Sequence, residues 1–78
     1  MQFTMFSTPW CGYCHRLKGQ LHRAGISFDE VDIEQDPDSA ETVARVNNGN
    51  QTVPTVLFVD GTALTNPSLA QIKAKIGA

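Results

Sequence analysis

Residues 2–14 read Gln2-Phe3-Thr4-Met5-Phe6-Ser7-Thr8-Pro9-Trp10-Cys11-Gly12-Tyr13-Cys14, and their order decides the fold. The segment Gln2–Phe6 alternates around Phe3 and Met5 and contains Thr4, so it is expected to be a short strand. Ser7-Thr8-Pro9-Trp10 breaks that strand. From Cys11 to Ala24 the apolar positions Tyr13, Cys14, Leu17, Leu21 and Ala24 recur at helical spacing, and Gly25 suits the place just past a helix end. A strand therefore hands over to a helix at a Cys-x-x-Cys motif.

The remaining chain extends this pattern. Ser27–Ile33 carries Phe28, Val31 and Ile33 and reads as a second strand, imperfect in its alternation. Asp36-Pro37 sets a capping residue before a proline at the first helical position, and Asp38 with Glu41 offers an alternative capping box. Ala40, Val43, Ala44 and Asn47 share a face of that helix, which Asn47-Asn48-Gly49-Asn50 ends. Thr55–Val59 is a β-branched run, and Asp60-Gly61 is a hairpin turn into Thr62–Thr65. Asn66-Pro67 repeats the cap-plus-proline device before a last helix, with Leu69, Ile72 and Ile76 on one face and Gly77 at its end. The order β-α-β-α-β-β-α implies parallel pairing with a right-handed crossover first and an antiparallel hairpin second. The expectation is an α/β fold, one domain over residues 1–78, with a mixed four-stranded sheet between helices.

Composition narrows the function. The chain has 78 residues and a formal net charge of −2, without a Lys/Arg cluster, which argues against nucleic acid as a partner. No apolar run approaches the roughly 18 residues of a membrane span, and the N-terminus does not read as a signal peptide. A cytoplasmic, monomeric protein is expected. Its two cysteines lie three positions apart, so a bond between them staples nothing distant; chemistry is the better reason for them.

At a helix start the free N–H groups and the macrodipole favour a thiolate, and a Cys-x-x-Cys pair so placed has a lowered pKa. Cys11, first and more exposed, is the expected nucleophile. Cys14, one turn inside, is placed to resolve a mixed disulfide. His15, Arg16 and Lys18 add positive potential, and Trp10 and Tyr13 offer apolar walls. Three rival readings compete for the same residues; the plainest, two buried inert thiols, fits poorly with a motif that begins at a polar, turn-like helix start. Cys11 to His15 matches the c-type haem attachment pattern, with Met1 and Met5 as axial candidates. Zinc would use Cys11, Cys14, His15 and His22, at a spacing that matches no finger. The favoured reading has no metal and no tightly bound cofactor. Val53-Pro54, at the head of a strand, is either a plain strand start or a cis bond facing the cysteine pair.

Taken together, the early strand, Cys11-Gly12-Tyr13-Cys14, Thr52-Val53-Pro54 and the Asp60-Gly61 hairpin resemble a glutaredoxin of the thioredoxin fold, across essentially the whole chain. The resemblance implies Cys11 as nucleophile, Cys14 as resolving thiol, Pro54 as a cis-proline and the Val53 backbone as the edge that pairs with substrate. Many glutathione-using members have a lysine where this chain has Thr8, and a Gly-Gly pair with a following aspartate where it has Thr65-Asn66-Pro67-Ser68-Leu69. Through Trp10-Cys11-Gly12-Tyr13-Cys14, Val46-Asn47, Gly49-Asn50, Thr52-Val53-Pro54-Thr55-Val56 and Leu64-Thr65-Asn66-Pro67-Ser68 it is similar to the mycoredoxin branch. That branch uses mycothiol, a small thiol without a carboxylate. The resemblance therefore implies mycothiol as co-substrate, mycothiol-bearing proteins as substrates, and an NADPH-dependent reductase behind the thiol. Thr8, Trp10, Tyr13, Val53, Pro54, Thr65 and Asn66 are the candidate substrate contacts. Two alternatives within the same resemblance are a dithiol electron donor for ribonucleotide reductase and an iron–sulfur-binding glutaredoxin.

Overall fold

The computed structural model describes residues 3–77. Their elements are β1 (Phe3–Ser7), α1 (Gly12–Arg23), β2 (Asp29–Asp32), α2 (Pro37–Val46), β3 (Thr55–Phe58), β4 (Ala63–Thr65) and α3 (Leu69–Ile76), the order expected from sequence. Gln2, expected to open the first strand, and Met1, a haem-ligand candidate, lie outside the described residues.

The four strands form one mixed sheet in the order β2-β1-β3-β4. β1 runs parallel to β2 and antiparallel to β3, and β3 pairs antiparallel with β4. Side chains alternate across such a sheet, and each face has its own core. Phe3, Met5, Val56 and Phe58 pack with Leu17 and Leu21 of α1 and Ile72 of α3, and Cys11 and Cys14 belong to this cluster. Phe6 and Ile33 pack with Val43 of α2 on the opposite face. The sheet thus lies between α1 and α3 on one side and α2 on the other. Strand β1 is central and carries core side chains on both faces, Phe3 and Met5 on one and Phe6 on the other.

Several boundaries move from their expected places, each for a physical reason. Ser7 belongs to β1 and does not break it: it stands opposite Asp32, its carbonyl accepts the Ile33 N–H at 3.0 Å, and its hydroxyl donates to Glu30. Strand β2 begins at Asp29 rather than Ser27, because pairing with β1 starts at the Thr4–Asp29 register. Phe28 stacks on Phe3, whereas Val31 and Ile33 pack in the α2 core, which accounts for the imperfect alternation. Asp36 caps α2 through the Ser39 N–H, with Pro37 at the helix start; the alternative cap at Asp38 is not used.

The hairpin is looser than a two-residue turn. The Gly61 N–H donates to the Phe58 carbonyl and the Phe58 N–H to the Thr62 carbonyl, so Val59-Asp60-Gly61 form a three-residue loop. Gly61 sits at φ +90°, the left-handed conformation such a loop requires. Val59 and Thr62 therefore fall outside the strands expected to hold them. At α3 the cap is Ser68, not Asn66. Ser68 Oγ accepts the Gln71 N–H and Gln71 Oε1 accepts the Ser68 N–H, a complete capping box. Pro67 precedes the cap, so it removes no N–H from the first helical turn.

Candidate active site

Cys11 is the N-cap of α1, with extended backbone (φ −83°, ψ 107°). Its sulfur accepts the Cys14 N–H at 3.1 Å, the position a capping oxygen takes in most helices. Upstream, the Cys11 N–H donates to the Thr8 carbonyl at 3.2 Å, closing the turn that delivers the chain from β1 into the helix. Cys11 and Cys14 form a disulfide, their Cα atoms 5.2 Å apart. Cys11 is 6% exposed and Cys14 2%, so the expected order holds but the nucleophile candidate is nearly covered. The cause is close packing of the helix start on the sheet core.

Facing this pair is the segment before β3. The Val53–Pro54 bond is cis. Pro54 is fully buried, and the Val53 carbonyl oxygen lies 3.9 Å from Cys11 Sγ. The Asn66 N–H holds the Pro54 carbonyl at 2.7 Å, and Asn66 itself adopts φ +48°. The main-chain edge at Val53 and the Cys11 sulfur thus stand side by side, although 42 positions separate them.

The other candidate contacts divide between two sides. Trp10 and Tyr13 stand out from the surface at 71% and 67% exposure. Trp10 Nε1 donates to Glu34 at 2.7 Å. Tyr13 and Asn66 line one groove between α1 and α3, about 500 Å³ in volume, with Arg16, Leu17, Gln20 and the start of α3. Thr8 lies elsewhere. It is buried, its hydroxyl has no hydrogen-bond partner, and it borders a smaller hollow with His15, Lys18 and Glu30. Thr65 is exposed, and its hydroxyl donates to Asn47.

The nearby cations are spread apart, as helix geometry dictates. Lys18 pairs with Glu30 at 3.2 Å, the His15 ring meets the Pro9 carbonyl at 2.9 Å, and Arg16 faces the α1–α3 groove. The helix start, more than any side-chain charge, is therefore what favours a thiolate here. The zinc reading finds no assembled ligand set. His22 stacks on Phe28, and among the described residues no three His, Cys, Asp or Glu side chains gather.

Sequence reasoning missed three participants. Glu34 anchors Trp10, Gln20 extends the groove, and Asn47 ties Thr65 to Thr55 behind the Val53–Pro54 segment. The contacts of Asn47 were not legible, because an Asn-Asn-Gly run signals termination whatever its side chains touch.

A cysteine pair at a helix start, beside a main-chain edge, is an arrangement suited to disulfide exchange. Fold and site together define the class, the thiol–disulfide oxidoreductases built on the thioredoxin fold. The comparisons narrow it. The family model described as Glutaredoxin matches residues 3–64. A protein of Mycobacterium tuberculosis carrying the glutaredoxin name is 56% identical over 73 residues, covering 94% of this chain and 87% of that one. Mycoredoxin 1 of Corynebacterium glutamicum is 45% identical over 75 residues, covering 96% and 92%. Among solved structures, the glutaredoxin of Methanosarcina mazei superposes with a TM-score of 0.83 at 23% identity, over 99% of this chain and 79% of that one. The chain belongs to the glutaredoxin family.

Proposed function

We propose that this glutaredoxin-family oxidoreductase reduces mixed disulfides between proteins and mycothiol. Cys11, as thiolate, attacks the mycothiol sulfur. The Cys11–mycothiol disulfide forms as the protein–mycothiol bond breaks, and the protein leaves as a thiolate that takes up a proton. A second mycothiol, as thiolate, attacks the adduct, and the electron pair of the broken bond returns to Cys11. The oxidised mycothiol dimer is reduced by an NADPH-dependent reductase. Cys14 resolves the adduct when a dithiol route is needed. The single observation that carries this reading is Cys11 Sγ capping α1 through the Cys14 N–H while lying 3.9 Å from the Val53 carbonyl. We place the activity in the cytoplasm, in a single-domain monomer; among the described residues no helix is long and apolar enough to cross a membrane.

The choice of mycothiol over glutathione is supported by the 45% identity to Mycoredoxin 1 and by the identity of residue 8. Glutathione brings two carboxylates, which need cationic or N–H partners. Thr8 supplies no cation and is buried. Pro67 does not add to the discrimination, since it lies before the α3 cap and leaves the first-turn N–H groups in place. Loss of one charge-assisted hydrogen bond corresponds to about ten- to a hundredfold. With the α3 start intact and Arg16 nearby, the lower end, about tenfold, is expected. The test reduces one peptide mixed disulfide with each thiol at matched concentration, each coupled to its own reductase. Equal turnover with both thiols would leave a general glutaredoxin. Turnover with thioredoxin reductase alone would make the chain a dithiol electron donor instead.

A further inference from the structure

Asn47 closes α2 as its C-cap residue. Its amide nitrogen donates to the Val43 carbonyl at 2.9 Å and to the Thr55 hydroxyl at 3.0 Å, while its amide oxygen accepts from the Thr65 hydroxyl. The Thr55 hydroxyl in turn donates to the Thr52 carbonyl at 2.7 Å. Donors and acceptors alternate along Thr65, Asn47, Thr55 and Thr52, so each link fixes the polarity of the next. The amide cannot be turned over, because its oxygen would then face the Val43 carbonyl.

Only the bond to Val43 serves the helix end. The other two reach both flanks of the Val53–Pro54 segment. Thr52 adjoins Val53, whose carbonyl lies 3.9 Å from Cys11 Sγ. Thr65 adjoins Asn66, whose N–H holds the Pro54 carbonyl at 2.7 Å. Thr55 is fully buried, so its hydroxyl has no solvent alternative to these partners. One side chain that touches neither cysteine thus pins the main-chain edge beside the reactive sulfur from two directions.

We infer that Asn47 is a positioning residue that holds the Val53 edge in register with Cys11 for the incoming disulfide. The inference rests on the reading above that substrate lies along Val53, and it is independent of which small thiol the substrate carries. An edge displaced by an ångström or so weakens substrate binding, whereas the Cys14 N–H and the helix start that favour the thiolate are untouched.

The test measures steady-state reduction of a peptide bearing mycothiol, and separately glutathione, as a mixed disulfide. Asn47→Ala is expected to raise KM about tenfold with both, leaving kcat within about twofold and the pH midpoint of Cys11 alkylation unchanged. Thr55→Val, nearly the same in shape, cuts the same chain at its next link and is expected to raise KM in the same sense. It decides the matter if Asn47→Ala lacks a cooperative urea transition. An unchanged KM in the folded variant overturns the inference, as does a loss confined to kcat. A separate measurement isolates the underlying reading: in Cys14→Ser, trapping a small thiol on Cys11 is expected to shift the Val53 amide resonance. A silent Val53 amide sinks that reading and the inference with it; a shifted amide with an unchanged KM sinks the inference alone.

Discussion

At Cys11 one sulfur both caps a helix and lies beside a second chain segment. A thiolate there gains a charge-assisted hydrogen bond from the Cys14 N–H and sits at the positive end of the α1 dipole. Its pKa is therefore expected to fall below that of a free thiol. Alkylation rate against pH reads this directly, and a midpoint of 8 or above would contradict it. The two sulfurs are also expected to differ in role. Cys11→Ser should abolish reduction of every substrate. Cys14→Ser should still release the small thiol from protein mixed disulfides, because a second small thiol resolves the adduct, but should fail on protein dithiol–disulfide substrates. Equal loss on both substrates would point to an obligate dithiol mechanism.

Among the elements, the β3–β4 hairpin carries a charge effect that can be measured apart from the active site. The Thr62 hydroxyl, with the Lys75 ammonium and the Thr62 N–H after it, holds the Asp60 carboxyl well below its ordinary value of 3.8. The carboxylate also pairs with Lys75 at 2.9 Å, tying the turn to α3. A carboxyl whose pKa is depressed by folding contributes stability that is fully present above its unfolded pKa and is lost as pH falls through its folded one. The difference in urea-unfolding free energy between the native chain and Asp60→Ala should thus be steady from pH 7 to 5. It should then shrink as the pH is lowered past 3.8. A difference that persists unchanged at pH 2 would mean that the loop's geometry matters and its charge does not. The effect will be modest, since both partners are solvent-exposed.

For the whole molecule, the two small cores leave little reserve. A chain of this size is expected to be stable by only about 3–5 kcal/mol. Ile72 is fully buried and joins α3 to α1 and the sheet in the larger core, which also contains both cysteines. Ile72→Ala should cost about 2–5 kcal/mol, comparable with the entire stability. Loss or marked weakening of the cooperative urea transition is the expected result. A shift of under 1 kcal/mol would mean that α3 is not integral to the core.

How much of this was legible beforehand follows from the range over which each feature is determined. The sequence alone determined the element order, the caps at Asp36 and Gly77 and the placement of Cys11 and Cys14 at a helix start. Each depends on residues within a turn or two, through backbone propensity, side-chain period and the missing N–H of proline. Only the tertiary structure decided how near the Val53 carbonyl lies to Cys11, that Asn47 spans Thr55 and Thr65, and that Glu34 anchors Trp10. Those pairs lie 8 to 42 positions apart, and sheet order brings them together. The cap of α3 shows the boundary between the two. Asn66-Pro67 and Ser68 with Gln71 are both sound local starts. The second prevails because Asn66 is turned into the left-handed conformation, whereas an N-cap typically takes extended backbone, as Ser68 does.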